Sequence, residues 1–374
     1  MSLMQEMASR AQLLGIPMSA HLDVTYRCNE RCVHCYLDHD DNGEMTTAEI
    51  KDLLDQLAEA GVFILTFSGG EVFLRRDFLD LVAYARKLQF NVKIKTNAVM
   101  IREAEARRLR ELAVDGVQIS VYSHRAEVHD AITKLPGSFE KTIRAIRFLK
   151  SQGLRVTIAN VLMKWNMGDH TGVHALADEL GVIYTLDPTI TPKIDGDMSL
   201  LSLRIPGEQL AQVFQIEKLV GNVDEFCAPP KPVQEDDLDA YSCSAGHTLA
   251  YISPYGDVYP CVQFPLPSGN VRRQKFSDIW WNSPQLKEVR SISVRDLPVC
   301  STCAHAGACS RCPGLAYMEG NMRGPSTADC EKSFRRTGIP SANMLRRQGQ
   351  SVPTMPLIQI RPADTTSSIG PMAS

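Results

Sequence analysis

The chain has 374 residues, 44% hydrophobic and 22% charged, enough to bury a large core and to exclude disordered or collagen-like classes. Its formal charge of −3 is small and mixed along the sequence, which removes the basic footprint of a nucleic-acid binder, and no apolar run reaches the length of a membrane span. Residues 1–19 carry no signal-peptide core, so the 11 cysteines are expected in a reducing cytoplasm, where metal or cluster ligation explains them better than disulfides.

In chain order, six short β-branched or apolar runs read as strands: residues 21–26, 62–67, 91–96, 117–121, 155–162 and 182–186. Between them lie helical stripes. Ile50, Leu53, Leu54, Leu57 and Ala58 follow a capping box of Thr46 and Glu49. Phe78, Leu81, Val82 and Ala85 follow Asp77, and Phe139, Ile143, Ile146 and Leu149 follow Ser138 as the expected N-cap. Strand and helix in alternation imply parallel pairing through right-handed crossovers, hence an α/β fold with a closed or partly open (β/α)6 barrel whose reactive groups gather at the strand C-termini.

After about Asp187 the alternation stops, and residues 187–192 and 228–232 read as connections. Residues 241–332 are rich in Cys, Gly and Pro and are expected to need clusters for a compact shape. The expected division is an N-terminal extension over 1–19, a barrel over 20–215, a small cysteine-rich domain over 216–336 and a mobile tail over 337–374.

Cys28, Cys32 and Cys35 come directly after the first strand. Three thiolates so close in sequence can converge on one cuboidal Fe-S cluster and leave its fourth iron without a protein ligand. A closed zinc site is the alternative, with His34 or His39 as the local fourth ligand. Cys-x3-Cys-x2-Cys at this place is similar to the signature of the radical S-adenosylmethionine (SAM) superfamily. Ser68-Gly69-Gly70-Glu71, after the second strand, resembles that superfamily's Gly-Gly-Glu element, although Val72 stands where many relatives have Pro.

The resemblance implies a [4Fe-4S] cluster on Cys28, Cys32 and Cys35, with SAM held by Gly69, Gly70 and the Glu71 carboxylate, which would take the SAM ammonium. It also implies SAM or ribose contacts at Thr96, Asn97 and Ser120. The run His129-Asp130 with Pro136-Gly137-Ser138-Phe139 is similar to the helix entry of peptide-modifying members. The implied chemistry is reductive cleavage of SAM to a 5′-deoxyadenosyl radical that abstracts a hydrogen atom.

Further along stand Cys243, then Gly256 with Cys261, then Cys300, Cys303, Cys309 and Cys312, and finally Cys330. Two Cys-x2-Cys pairs are a strong metal signal, and zinc is again the alternative. The order resembles a SPASM domain, which implies one or two auxiliary Fe-S clusters: Cys243, Cys261 and Cys312 on the inner one, Cys300, Cys303, Cys309 and Cys330 on the outer. The last pair is one residue shorter than the usual pattern. Cys227 is left over as a fourth inner ligand, a hydrogen-atom donor or a buried thiol.

Sulfatase-maturing members of this group place Asp after the Gly-x4-Cys cysteine, where this chain has Val262 and Gln263. The resemblance therefore implies first a ribosomal precursor-peptide maturase, forming a crosslink, a thioether or an epimerised residue. Oxidation or decarboxylation of a tetrapyrrole side chain comes second, and a non-enzymatic Fe-S or zinc protein third. The implied partners are the precursor peptide, a flavodoxin- or ferredoxin-type reductant and, because the first strand begins near His21, a separate peptide-recognition protein or the barrel itself for the leader. Neither nucleic acid nor a membrane is expected.

Overall fold

The structure, a computed structural model, describes residues 3–39 and 41–351. Helix α1 (Leu3–Leu14) leads into β1 (Ser19–Asp23), and strands and helices then alternate: α2 (Thr47–Glu59), β2 (Ile64–Ser68), α3 (Phe78–Lys87), β3 (Asn91–Thr96), α4 (Glu103–Glu111), β4 (Gly116–Ser120), α5 (Ala126–Thr133), α6 (Ser138–Ser151), β5 (Val156–Val161), α7 (His170–Leu180) and β6 (Ile183–Asp187). Strands β1 to β6 pair in parallel, each with its chain neighbour. β1 does not close onto β6. Its other edge pairs in parallel with β7 (Leu249–Ile252), which continues through antiparallel β8 (Asp257–Tyr259) and β9 (Gly269–Asn270). The barrel is therefore the partly open form, and one sheet crosses the boundary expected near 215.

The strand sequences explain the layering. Leu22, Leu65, Phe67, Val92, Ile94, Val117, Ile119, Val156 and Ile158 are buried and join one core with the inward stripes of α2, α3 and α6. The alternate residues on the other face are mostly polar: His21, Asp23, Thr66, Lys95, Gln118, Ser120 and Thr185. A two-residue period with apolar residues toward the helices and polar residues toward the barrel axis makes the interior a chamber rather than a second core.

Local capping departs from expectation in one place. The capping box of Thr46 and Glu49 is present, but Ser138 is the first residue of α6 and not its cap. The Asp130 carboxylate takes that role, accepting from the backbone N–H of Gly137 and Phe139 and from the Ser138 hydroxyl. A carboxylate at a helix N-terminus satisfies the orphan donors and favours the helix dipole, and Asp130 is held below the usual carboxylate range by these donors although burial opposes them.

The C-terminal region carries more apolar packing than its composition suggests. Helices Phe276–Asn282 and Pro284–Arg290 bury Phe276, Ile279, Trp280 and Leu286 in the same core as the barrel. Trp280 Nε1 donates to the Gly15 carbonyl at 2.7 Å, and Arg272 pairs with Glu49 at 2.8 Å. Each helix is too short to show a stripe in sequence. Within the span expected as a tail, Ala342–Arg347 forms a helix capped by Ser341, and it follows directly on the helix Thr327–Thr337. The remainder of the expected tail, 352–374, lies outside the described residues.

Candidate active site and cysteine pockets

Beyond the last paired residue of β1 the chain stays extended and is clamped from both sides. The Val24 N–H donates to Ser68, Gly70 N–H to Thr25 at 2.8 Å, and Glu71 N–H to Arg27 at 2.9 Å. From the opposite side Glu44 accepts from the Thr25 hydroxyl at 2.6 Å and the Tyr26 N–H at 2.9 Å. A Cβ on Gly69 would collide with the Thr25 carbonyl, and one on Gly70 with the carbonyls of Tyr26 and Arg27. Gly69 also has a φ of 142°, which a side chain resists. The glycine pair is thus required by the approach of two backbones, one turn before Cys28.

The cysteine loop is then fixed at its middle, where Arg31 N–H donates to Thr133 and Val33 N–H to Ile132 at the end of α5. Cys28, Cys32 and Cys35 border one chamber of about 380 Å³. Its wall also includes Gly69, Gly70, Thr96, Asn97 and Ser120, so five of the six expected SAM-contact residues face the same space as the three thiols. Asn97 Nδ2 reaches Cys28 Sγ at 3.8 Å and Asn29 Oδ1 at 2.9 Å.

Glu71 is the exception. Its carboxylate is fully buried and accepts from Phe73 N–H, Asn97 N–H and the Thr96 hydroxyl, all between 2.8 and 3.0 Å. Those bonds tie the end of β2 to the end of β3, so Glu71 positions Asn97 and the glycine backbone, and its carboxylate is turned onto these donors rather than lining the chamber. Burial raises the Glu71 pKa, and the hydrogen bonds oppose it. His129 is likewise structural: it is buried, with Nδ1 against Tyr122 N–H at 3.2 Å.

Sequence reasoning missed Glu30. It is buried between Cys28 and Cys32, lines the chamber, and leaves Oε1 without a partner, while burial pushes its pKa up to about 8. His34, also on the chamber wall, has an unpartnered Nδ1 and is held down to about 4 by burial. Buried polar groups without partners mark a place where a bound group completes the hydrogen bonding. Burial lifts the thiols too, Cys28 to about 12, so metal loading releases protons.

The distal cysteines form two groups. Cys300, Cys303, Cys309 and Cys330 line a second cavity of about 150 Å³ with His305, Arg311 and Asp329. Ala342 N–H donates to Cys303 Sγ at 3.4 Å and Ser333 Oγ to Cys309 Sγ at 3.7 Å, so the two last helices help to build this pocket. Cys243, Cys261 and Cys312 lie near enough that the latter two raise the Cys243 pKa, after burial, to about 11. Gly314 lets the helix behind Cys312 dock on the backbone of Gln263, where a Cβ would strike the Gln263 carbonyl. Cys227 stands apart, with its thiol contacts at Gln215 and the Phe214 carbonyl.

Residues 22–174 match the model of the radical SAM superfamily, and residues 243–313 match that of the SPASM iron–sulfur cluster-binding domain. The chain is 30% identical over 325 residues to the AdoMet-dependent heme synthase of Oleidesulfovibrio alaskensis, covering 79% of this chain and 82% of that protein. It belongs to the radical SAM superfamily. It is also 30% identical over 334 residues to the mycofactocin maturase MftC of Mycobacterium ulcerans, covering 86% and 89% of the two chains. In fold it is similar to Streptococcus suis SuiB bound to precursor peptide SuiA, with a TM-score of 0.68, 17% identity, and coverage of 87% of this chain and 78% of that one.

As a radical SAM/SPASM enzyme the chain uses a [4Fe-4S] cluster and SAM, with auxiliary Fe-S clusters behind the barrel. The residues present fit these groups: three thiols and unpartnered polar atoms border the chamber, and the distal thiols gather in two sets. Among the described residues no helix is long and apolar enough to cross a membrane.

One prediction follows from the placement of Glu71. Glu71→Gln turns one carboxylate oxygen into an amide donor that faces the Phe73 or the Asn97 N–H, so the metal-free protein should lose about 1–3 kcal/mol in urea unfolding, and SAM affinity should fall with it. Unchanged stability with a selective loss of SAM affinity would return the carboxylate to the ligand.

Proposed function

We propose that this enzyme modifies a ribosomally made precursor peptide by crosslink, thioether or epimerisation, with Cys28, Cys32 and Cys35 holding the SAM-cleaving cluster. The observation that carries the reading is the single chamber bounded at one side by those cysteines and Gly69-Gly70 and at the other by Val262 and Gln263, which follow Cys261. A substrate there lies between the site of hydrogen abstraction and the inner auxiliary site. When bound, the reduced cluster and SAM supply a 5′-deoxyadenosyl radical that takes a hydrogen atom from an unactivated C–H bond. The chain's own residues orient SAM through the Gly69-Gly70 backbone and Asn97, and wall the reacting carbon from water with Tyr122, Val161 and Ile190.

A peptide suits the chamber for a further reason. β6 is an edge strand whose outer side pairs with no strand among the described residues, and its Thr185, Leu186 and Asp187 border the chamber. An extended backbone can pair with such an edge while presenting alternate side chains inward. Similarity to MftC and SuiB supports the same reading. Tetrapyrrole side-chain oxidation is the second reading, favoured by the similarity to the heme synthase.

In this account Cys243, Cys261 and Cys312 hold the inner auxiliary cluster and Cys300, Cys303, Cys309 and Cys330 the outer one. A flavodoxin- or ferredoxin-type protein supplies electrons in the cytoplasm, and a separate recognition protein or the barrel itself holds the leader.

Co-expression with the small peptide encoded beside the gene, followed by mass spectrometry, tests the substrate. The expected result is loss of a hydrogen pair per crosslink or thioether, or an unchanged mass with a D-residue. An unmodified peptide together with decarboxylation of a supplied porphyrin would contradict the proposal and favour the second reading.

The cluster assignment has its own test. The reconstituted protein should hold on the order of twelve irons, or about ten with a [2Fe-2S] inner cluster, and Cys300→Ala with Cys303→Ala should remove about four. That double variant should still cleave SAM while product formation falls. Stoichiometric zinc in place of the distal iron would overturn the assignment.

A further inference from the structure

The chamber wall carries one side-chain ammonium that neither the cysteines nor the SAM contacts account for. Lys95 is the one lysine or arginine among the described residues on its wall. It projects inward from β3, between the buried residues Ile94 and Thr96 of the same strand. Among the described residues its ammonium makes no hydrogen bond and no ion pair; the walls of the chamber disfavour its charged form, and the Asp23 and Asp187 carboxylates act through space to favour it.

Those carboxylates are otherwise engaged. Asp23 is fully buried, with Oδ1 at 3.1 Å from His21 Nε2 and Oδ2 accepting from the Tyr251 hydroxyl at 2.8 Å. Asp187 Oδ1 accepts from the Thr189 N–H at 2.8 Å. Lys95 is open to the solvent of the chamber, so its ammonium is hydrated there, and as the one described lysine or arginine on that wall it is available to an anion that enters. Its position is also informative. Lys95 is two residues before Asn97, which reaches Cys28, and it senses the Cys261 thiol on the far side of the chamber. It therefore stands on the line a substrate must occupy between the two cysteine sets.

We propose that Lys95 is the docking point for a carboxylate of the substrate, so that the group modified in this chamber belongs to an acid: a peptide carboxyl terminus or an acidic side chain. The inference rests on the reading of the chamber as the substrate site. A primary ammonium binds a carboxylate as a point charge with charge-assisted hydrogen bonds and does not bind the isosteric amide in this way. SAM itself carries a carboxylate, so the chemistry has two sources.

Lysine footprinting on the wild-type holoprotein separates them. With reductant omitted, so that SAM stays intact, Lys95 is acetylated by an N-hydroxysuccinimidyl ester and its modification rate is read by peptide mass spectrometry. The four samples contain no addition, SAM, SAM with sodium butanoate, and SAM with butanamide, at matched ionic strength from chloride. Lys95 should react at nearly the same rate with and without SAM, should be protected severalfold by butanoate, and should not be protected by butanamide. Exposed Lys218 in the same samples reports reagent loss.

Complete protection by SAM alone would overturn the proposal by assigning Lys95 to the SAM carboxylate. Equal protection by butanamide, or none by butanoate, would overturn it as well. Mass spectrometry of the co-expressed peptide is independent of these rates, so the substrate reading and the role of Lys95 can fail separately.

Discussion

The geometry of this enzyme depends on one backbone contact: the turn after β2 lies directly on residues 25–27, and only because Gly69 and Gly70 carry no Cβ. Three consecutive inter-strand hydrogen bonds, from Val24, Gly70 and Glu71, extend the β1–β2 pairing beyond both strands. The cysteine loop therefore leaves the sheet at a fixed height and direction. Glu71, turned inward onto Thr96 and Asn97, carries the same constraint to β3. Cluster loop, glycine backbone and Asn97 are thereby set relative to one another by main-chain bonds, which resist displacement better than side-chain rotamers do.

The second constraint is the alternation along each strand. Apolar residues facing the helices make one continuous core, and the C-terminal helices with Trp280 enter it. The other face is left polar and lines a chamber. Parallel pairing of β7 with β1 brings β8 and Cys261 to the edge of that chamber, so the barrel and the auxiliary region share a sheet as well as a core. The shared sheet fixes the auxiliary region relative to the chamber.

Much of this was legible in the sequence because it is periodic or closely spaced. The six strands and the capped helix α2 fall where periodicity puts them, the closely spaced cysteine trio borders one chamber, and the four outer cysteines that the family resemblance groups line one cavity. What was not legible depends on contacts distant in the chain. Glu71 was expected to hold the SAM ammonium because Gly69-Gly70-Glu71 resembles the superfamily's Gly-Gly-Glu element, whereas the direction of its side chain is decided by Thr96 and Asn97 at the end of another strand. Ser138 looked like a cap because Asp130, the true cap, lies in the preceding helix. The helices over 276–290 and 342–347 are too short to display a stripe, and the last of them was hidden in a segment that composition marks as a tail. Glu30 and Lys95 carried a usable signal, a charge beside or within a strand-end motif, but only the chamber gives it meaning.

The claim on which the rest stands is that Cys28, Cys32 and Cys35 together hold the cluster that cleaves SAM. The most direct measurement is 5′-deoxyadenosine formed on reduction of the anaerobically reconstituted protein, compared with a variant carrying Cys28→Ala, Cys32→Ala and Cys35→Ala. The account predicts continuing production by the wild type and none above background by the variant, with the distal iron still bound. Equal production by the variant would contradict it.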